Sequence, residues 1–149
     1  MRAHIKWMGK ARFSGRNQSG HSVIMDGPSG HGGNNAGFRP MEMLLLGLGG
    51  CAAFYLTHIL KKSRNAVVDC QVEVSAERDP APPGLFKHIH LHYILKGENL
   101  NPHQVQHALD LSTEKYCSAS ITLSKATKIS HDFEIQNDRD DRDGSNQSN

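Results

Sequence analysis

Three cysteines, Cys51, Cys70 and Cys117, are the side chains of this 149-residue chain best suited to covalent chemistry. A thiolate attacks peroxides and disulfides and binds metals, and the protonated thiol does none of these well. The chain starts "MRAHIKWMGKARF", an alternating pattern that reads as a strand and not as a basic segment followed by an apolar one. A cytoplasmic location is expected, where thiols are kept reduced. An odd number of cysteines there points to buried, metal-bound or redox-active thiols and not to a disulfide framework.

The three sit in different surroundings. Cys51 lies in "LGLGGCAAFYL", residues 46–56, an apolar run with three glycines directly before it. Packed in such a place, a thiol has a raised pKa and is inert unless a positive group is near. Cys117 stands between two helical patterns; if it opens the second, the helix N-terminus favours its thiolate. Cys70 shares strand parity with Val68, Val72 and Val74 and reads as a small buried hydrophobe. His88, His90 and His92 line one face of another strand, a spacing compatible with metal binding. Without a carboxylate or cysteine beside them, a solvated polar face is the better reading. Cys51, Cys117 and His58, the last seven residues after Cys51 and on roughly the same helix face, form another candidate metal set, but no CxxC or HExxH spacing supports it. No metal and no cofactor are expected.

These residues need elements to hold them. Residues 41–60, "MEMLLLGLGGCAAFYLTHIL", with Pro40 before them and Lys61 and Lys62 after, fit one long helix. The run is long enough to span a bilayer, yet Glu42 at its start, Thr57 and His58 near its end and the basic "KKSR" that follows fit a buried central helix at least as well, and no membrane association is expected. Gly47, Gly49 and Gly50 each disfavour a helix interior by about 1 kcal/mol relative to Ala. A close backbone approach compensates, either to the chain's own second helix or to the same helix of a second subunit, and Gly47, Gly50, Ala52 and Ala53 suit such contact.

Around that helix the pattern gives two strands (near residues 3–7 and "HSVIMDG"), a loop "DGPSGHGGNNAGFRP", the helix, and strands "AVVDCQVEVSAE" and "LFKHIHLHYILKG". Asn101 before Pro102 caps a further helix carrying Val105, Ala108, Leu109 and Ser112, and a short helix from Cys117 or Ser118 precedes a last strand, "KISHDFEI". Ile89, Leu91, Tyr93 and Leu95 face inward on the penultimate strand, and Ile129, His131, Phe133 and Ile135 share one side of the last. The result is one α+β domain over residues 1–136, with a disordered polar tail over 137–149. A formal net charge of +2 lacks the concentrated basic surface of a nucleic-acid binder.

"RPMEMLLLGLGGCAAFYLTHIL" together with "STEKYCSASITLSKAT", on this order of elements, resembles the OsmC/Ohr family in its YhfA-like branch, from about Met1 to Ile135. The resemblance implies an OsmC-like fold, an intertwined homodimer with antiparallel sheets wrapped around a long central apolar helix. It implies thiol-dependent reduction of organic hydroperoxides in oxidative-stress defence, with Cys51 as peroxidatic and Cys117 as resolving cysteine. A small organic hydroperoxide and a dithiol of the dihydrolipoamide kind are the implied partners.

The sequence departs from the family pattern at one place. The peroxidases carry Pro-Glu at the head of the central helix, the Glu holding an Arg from the N-terminal strands against the reactive thiol. Pro40 matches, but Met41 occupies the Glu position and the acid, Glu42, is displaced by one residue, about 100° around the helix. Arg12 and Arg16 both lie in the region of the activating Arg, and Arg39 borders the helix. The alternative function is a non-catalytic dimer binding a small apolar or thiol-bearing ligand at the subunit interface.

Overall fold

The computed structural model describes residues 1–137; the tail expected over 137–149 lies, from residue 138 on, outside the described residues. The chain divides into two compact units, residues 1–44 and the residues from Leu45 on.

In the first unit, β1 (Ala3–Trp7), β2 (Phe13–Asn17) and β3 (Ser22–Met25) form an antiparallel sheet in that order. The sequence pattern gives only two of these strands. The one it misses, "FSGRN", has no apolar alternation and contains turn-forming residues. Pairing recruits it: Gly15 lies opposite Ile5 and Val23, and Phe13 opposite Trp7 and Met25. Strand β1 also departs from the half-buried expectation, because all five residues are exposed, Trp7 at 64%. After β3 the glycine-rich loop is organised by buried Asp26, whose carboxylate accepts from the N–H groups of Gly27, Asn34 and Ala36 at 2.8–3.1 Å. Gly33 is indispensable there, since a Cβ at that position would meet the Gly27 carbonyl.

Helix α1 (Pro40–Lys62) begins in the first unit and continues in the second. In the second unit its stripe Leu48, Ala52, Leu56 and Leu60, spaced by four, is fully buried. Next come β4 (Ala66–Arg78) and β5 (Phe86–Glu98), paired antiparallel, then α2 (Pro102–Leu111), one π turn over Ser112–Tyr116, α3 (Ser118–Leu123) and β6 (Lys128–Asn137). Asn101 caps α2 as expected, accepting from the N–H groups of His103 and Gln104.

The sheet order is β4-β5-β6, and β6 runs parallel to β5. The expectation of purely antiparallel sheets is therefore corrected. The helical segments between β5 and β6 supply the long crossover that a parallel pair needs and a hairpin lacks. A register shift between Val67 and Asp69 also breaks the expected parity in β4, leaving Val68 exposed while Val67, Cys70, Val72 and Val74 pack inward. One core results, built from the α1 stripe, Ile89, Leu91, Tyr93 and Leu95 of β5, Val105, Ala108 and Leu109 of α2, and Cys117.

Candidate functional site

The π turn after α2 is the element that brings the distant cysteines together. Ser112, fully buried, donates its hydroxyl to the Ala52 carbonyl of α1 at 2.9 Å. One turn further along, the Tyr55 and Tyr116 rings lie 6.1 Å apart at 24°. The Cys117 N–H closes the turn on the Ser112 carbonyl at 2.7 Å, and Cys117 then leaves helical geometry to cap α3, its sulfur accepting from the Ser120 N–H at 3.3 Å. This placement puts the Cys117 thiol in the core against which Cys51 packs, near enough for the two thiols to influence each other's ionisation. Both are reduced, Cys51 half-buried and Cys117 buried.

The two ends of that contact are not equivalent. Burial pushes the Cys117 thiol up to about 11, and the hydrogen bond with Cys51 adds to the rise; the N–H groups of Ser120 and Ala119 act the other way and do not offset it. The sequence expectation that the helix N-terminus would favour the Cys117 thiolate is therefore outweighed by burial, six residues being too short a helix to dominate. Cys70, on the inward face of β4, is likewise pushed up to about 11, by burial first and then by the charge of Asp69. Fully buried Tyr93 of β5 interacts electrostatically with Cys117, Cys70 and Cys51, and burial raises its phenol well above the ordinary range. The Tyr93 and Thr113 hydroxyls are neighbours without the geometry of a completed hydrogen bond, and each lacks a partner. Neither Tyr93, Thr113 nor Ser112 is legible as a site residue, because inward strand parity and a helical stripe read as core.

The glycines divide into two kinds. A Cβ on Gly49 would lie 2.9 Å from Val74 Cγ2, so this glycine lets α1 approach the chain's own β4. Gly47 and Gly50 meet nothing within 4 Å and, with Leu46 and Phe54, form an exposed apolar face, Phe54 at 64%. Ala52, expected to suit an intersubunit contact, is instead buried in its own core, facing the π turn; Ala53 is half-buried.

The remaining candidates belong to the first unit. Arg12, half-buried in the β1–β2 turn, lends its charge to Asp26, and its Nε has no hydrogen-bond partner. Arg16 is exposed on β2, opposite His4 and Ser22. Glu42 accepts from the Arg39 N–H at 2.8 Å, the reach-back of a capping box that opens α1 at Pro40. The Arg39 guanidinium is held by the Asp26 carbonyl and, at 2.6 Å, by Asn35 Oδ1. His58 is exposed and stacks on Phe54. On the outer face of β5, His88 and His90 both hydrogen-bond the Ser130 hydroxyl, and His92 bonds Asp132, which raises the His92 pKa and lowers that of Asp132. Among the described residues no group of three or more His, Cys, Asp or Glu is placed to hold a metal ion.

The sequence profile described as OsmC-like protein matches residues 31–132. Protein YhfA of Escherichia coli strain K12 is 44% identical over 135 residues, covering 91% of this chain and 98% of that protein. The crystal structure of a hypothetical protein from Aquifex aeolicus VF5 superposes with a TM-score of 0.80 at 26% identity, over 92% of this chain and 96% of the other. An organic hydroperoxide resistance protein OsmC from Legionella pneumophila superposes at 0.70 with 15% identity, over 91% and 98% of the two chains.

Proposed function

The chain belongs to the OsmC-like protein family, and from that premise we propose that it is a thiol peroxidase reducing organic hydroperoxides with Cys51 and Cys117. The observation that carries this reading is the meeting of the two thiols, one on α1 and one delivered by the π turn. Half-buried Cys51 is the sulfur a substrate can reach, so it is the peroxidatic residue and buried Cys117 the resolving one.

The Cys51 thiolate attacks a peroxide oxygen, the O–O bond breaks, and the alkoxide takes a proton and leaves as an alcohol. The sulfur is left as a sulfenic acid. Cys117 condenses with it, forming the disulfide and releasing water, and an external dithiol of the dihydrolipoamide kind restores both thiols by exchange in the reducing cytoplasm. Arg12 and Arg16 are the candidate activators of Cys51. The organic hydroperoxide resistance proteins among the structural relatives support the substrate class, and the apolar residues beside Cys51 favour an organic over an inorganic peroxide. The exposed α1 face of Leu46, Gly47, Gly50 and Phe54 is assigned to a second copy of the chain, making a homodimer.

One observation favours a second reading, a non-catalytic dimer that retains a small apolar or thiol-bearing ligand. Met41 stands in the acidic position of the peroxidases, and the neighbouring acid, Glu42, is turned to capping α1 through the Arg39 N–H. Thiol titration separates the two. Treating the reduced protein with one equivalent of cumene hydroperoxide is expected to remove two thiols, with no peroxide consumed by Cys51→Ser. Retention of all three thiols would give the binding reading the lead.

A further inference from the structure

The Tyr93 hydroxyl is fully buried, makes no hydrogen bond, and belongs to the same core as Cys117, against which Cys51 and Cys70 also pack. Thr113, next to Ser112 in the π turn, places a second unpartnered hydroxyl beside it, on a residue 9% exposed. Two buried orphans side by side are unusual, because each forfeits the hydrogen bonds it had in water. Their location separates them from ordinary packing defects. One is carried by the central strand β5 and the other by the turn that delivers Cys117 to Cys51.

We propose that Tyr93, supported by Thr113, is a positioning residue for disulfide formation, its hydroxyl donating to the Cys117 sulfur while that sulfur attacks oxidised Cys51. This deepens the peroxidase reading and rests on it only for the identity of the oxidant. The chemistry requires such a donor. In the condensation Cys117 gives up its proton, its sulfur forms a bond to the Cys51 sulfur, and the Cys51–oxygen bond breaks; the departing hydroxide and the released proton leave as water. Cys117 therefore has to form its thiolate in a buried site before the charge passes to the departing hydroxide, and a donor that eases this ionisation raises the fraction able to attack. The backbone N–H of Ser120 is one donor to it. A phenol with an uncommitted O–H can supply a second without first giving up another hydrogen bond. A tyrosine with a satisfied hydroxyl would have to break a bond first.

The resolving step can be watched without any peroxide. In a Cys70→Ala background, an aromatic disulfide converts Cys51 to a mixed disulfide and releases one coloured nitrothiobenzoate. Attack by Cys117 on the Cys51 sulfur then forms the intramolecular disulfide and releases a second, the Cys117 proton passing to buffer. Tyr93→Phe is expected to leave the first release unchanged, to slow the second by about tenfold at neutral pH, and to move its pH profile upward; Thr113→Val is expected to slow it less. Removing an orphan hydroxyl is also expected to leave the thermal midpoint of the reduced protein unchanged or raised, which excludes misfolding as the cause. A second release at wild-type rate and unshifted pH profile in both variants would overturn the proposal and mark the hydroxyls as bystanders. An inert wild-type protein toward cumene hydroperoxide, with Tyr93→Phe still slow in this assay, would instead sink the peroxidase reading alone.

Discussion

Cys51 and Cys117 differ less in chemistry than in setting, and in the proposed peroxidase cycle it is the setting that orders them. Burial is the leading cause of the raised Cys117 pKa and disfavours its thiolate, and its access to reagent is poor as well. Alkylation of the reduced protein with a small haloacetamide is expected to modify Cys51 well before Cys117, and peptide mass spectrometry reads this directly. Cys117 labelling first would reverse the peroxidatic and resolving assignments. Both cysteines were legible in the sequence because their flanking segments are distinctive as a pair. Their contact was not, since it depends on one π turn whose residues, "STEKY", read as the end of a helix. The role of burial at Cys117 was hidden for the same reason: a cap position is visible in sequence, and the core around it is not. Tyr93 shows the limit most plainly, because an inward-facing strand residue looks alike whether its hydroxyl is satisfied or orphaned.

Among the elements, the loop between β3 and α1 depends on a single carboxylate. The Asp26 pKa is held below its ordinary value of 3.8, chiefly by the Ala36 N–H, with those of Asn34 and Gly27 and the charge of Arg12 adding and burial opposing. A group with a depressed folded pKa contributes stability above its unfolded pKa and loses it as pH falls through the folded value. Amide exchange in residues 27–37 is therefore expected to accelerate as pH drops below 3.8 relative to exchange-corrected controls, and Asp26→Ala should remove the protection at neutral pH, while the β4-β5-β6 sheet keeps its own. Unchanged loop protection in Asp26→Ala would show that backbone turns alone hold the loop. The helices and the long strands were readable from periodicity and caps. Strand β2 and the parallel sense of β6 were not, because pairing partners and crossover length decide them and neither leaves a local pattern.

For the whole molecule the glycines of α1 carry the sharpest test, since they separate contacts within one chain from contacts between copies. Gly49 faces Val74 of the same chain at a distance that leaves no space for a methyl group. Gly49→Ala should therefore lose about 1 kcal/mol of stability, overpacking exceeding the gain in helix propensity. Gly47 and Gly50 face open space within the chain. In an isolated subunit, alanine at these positions would stabilise by about 1 kcal/mol each through helix propensity. If two α1 helices approach over them, as the proposed homodimer requires, each methyl group instead holds the backbones apart. The Gly47→Ala/Gly50→Ala double variant is accordingly expected to raise the dimer dissociation constant in sedimentation equilibrium, with the folded subunit no less stable in denaturant at concentrations where it is monomeric. Unweakened association would place the contact elsewhere. The exposed Leu46 and Phe54 would then need a different cover, because an apolar helix face of this kind is costly to leave in water.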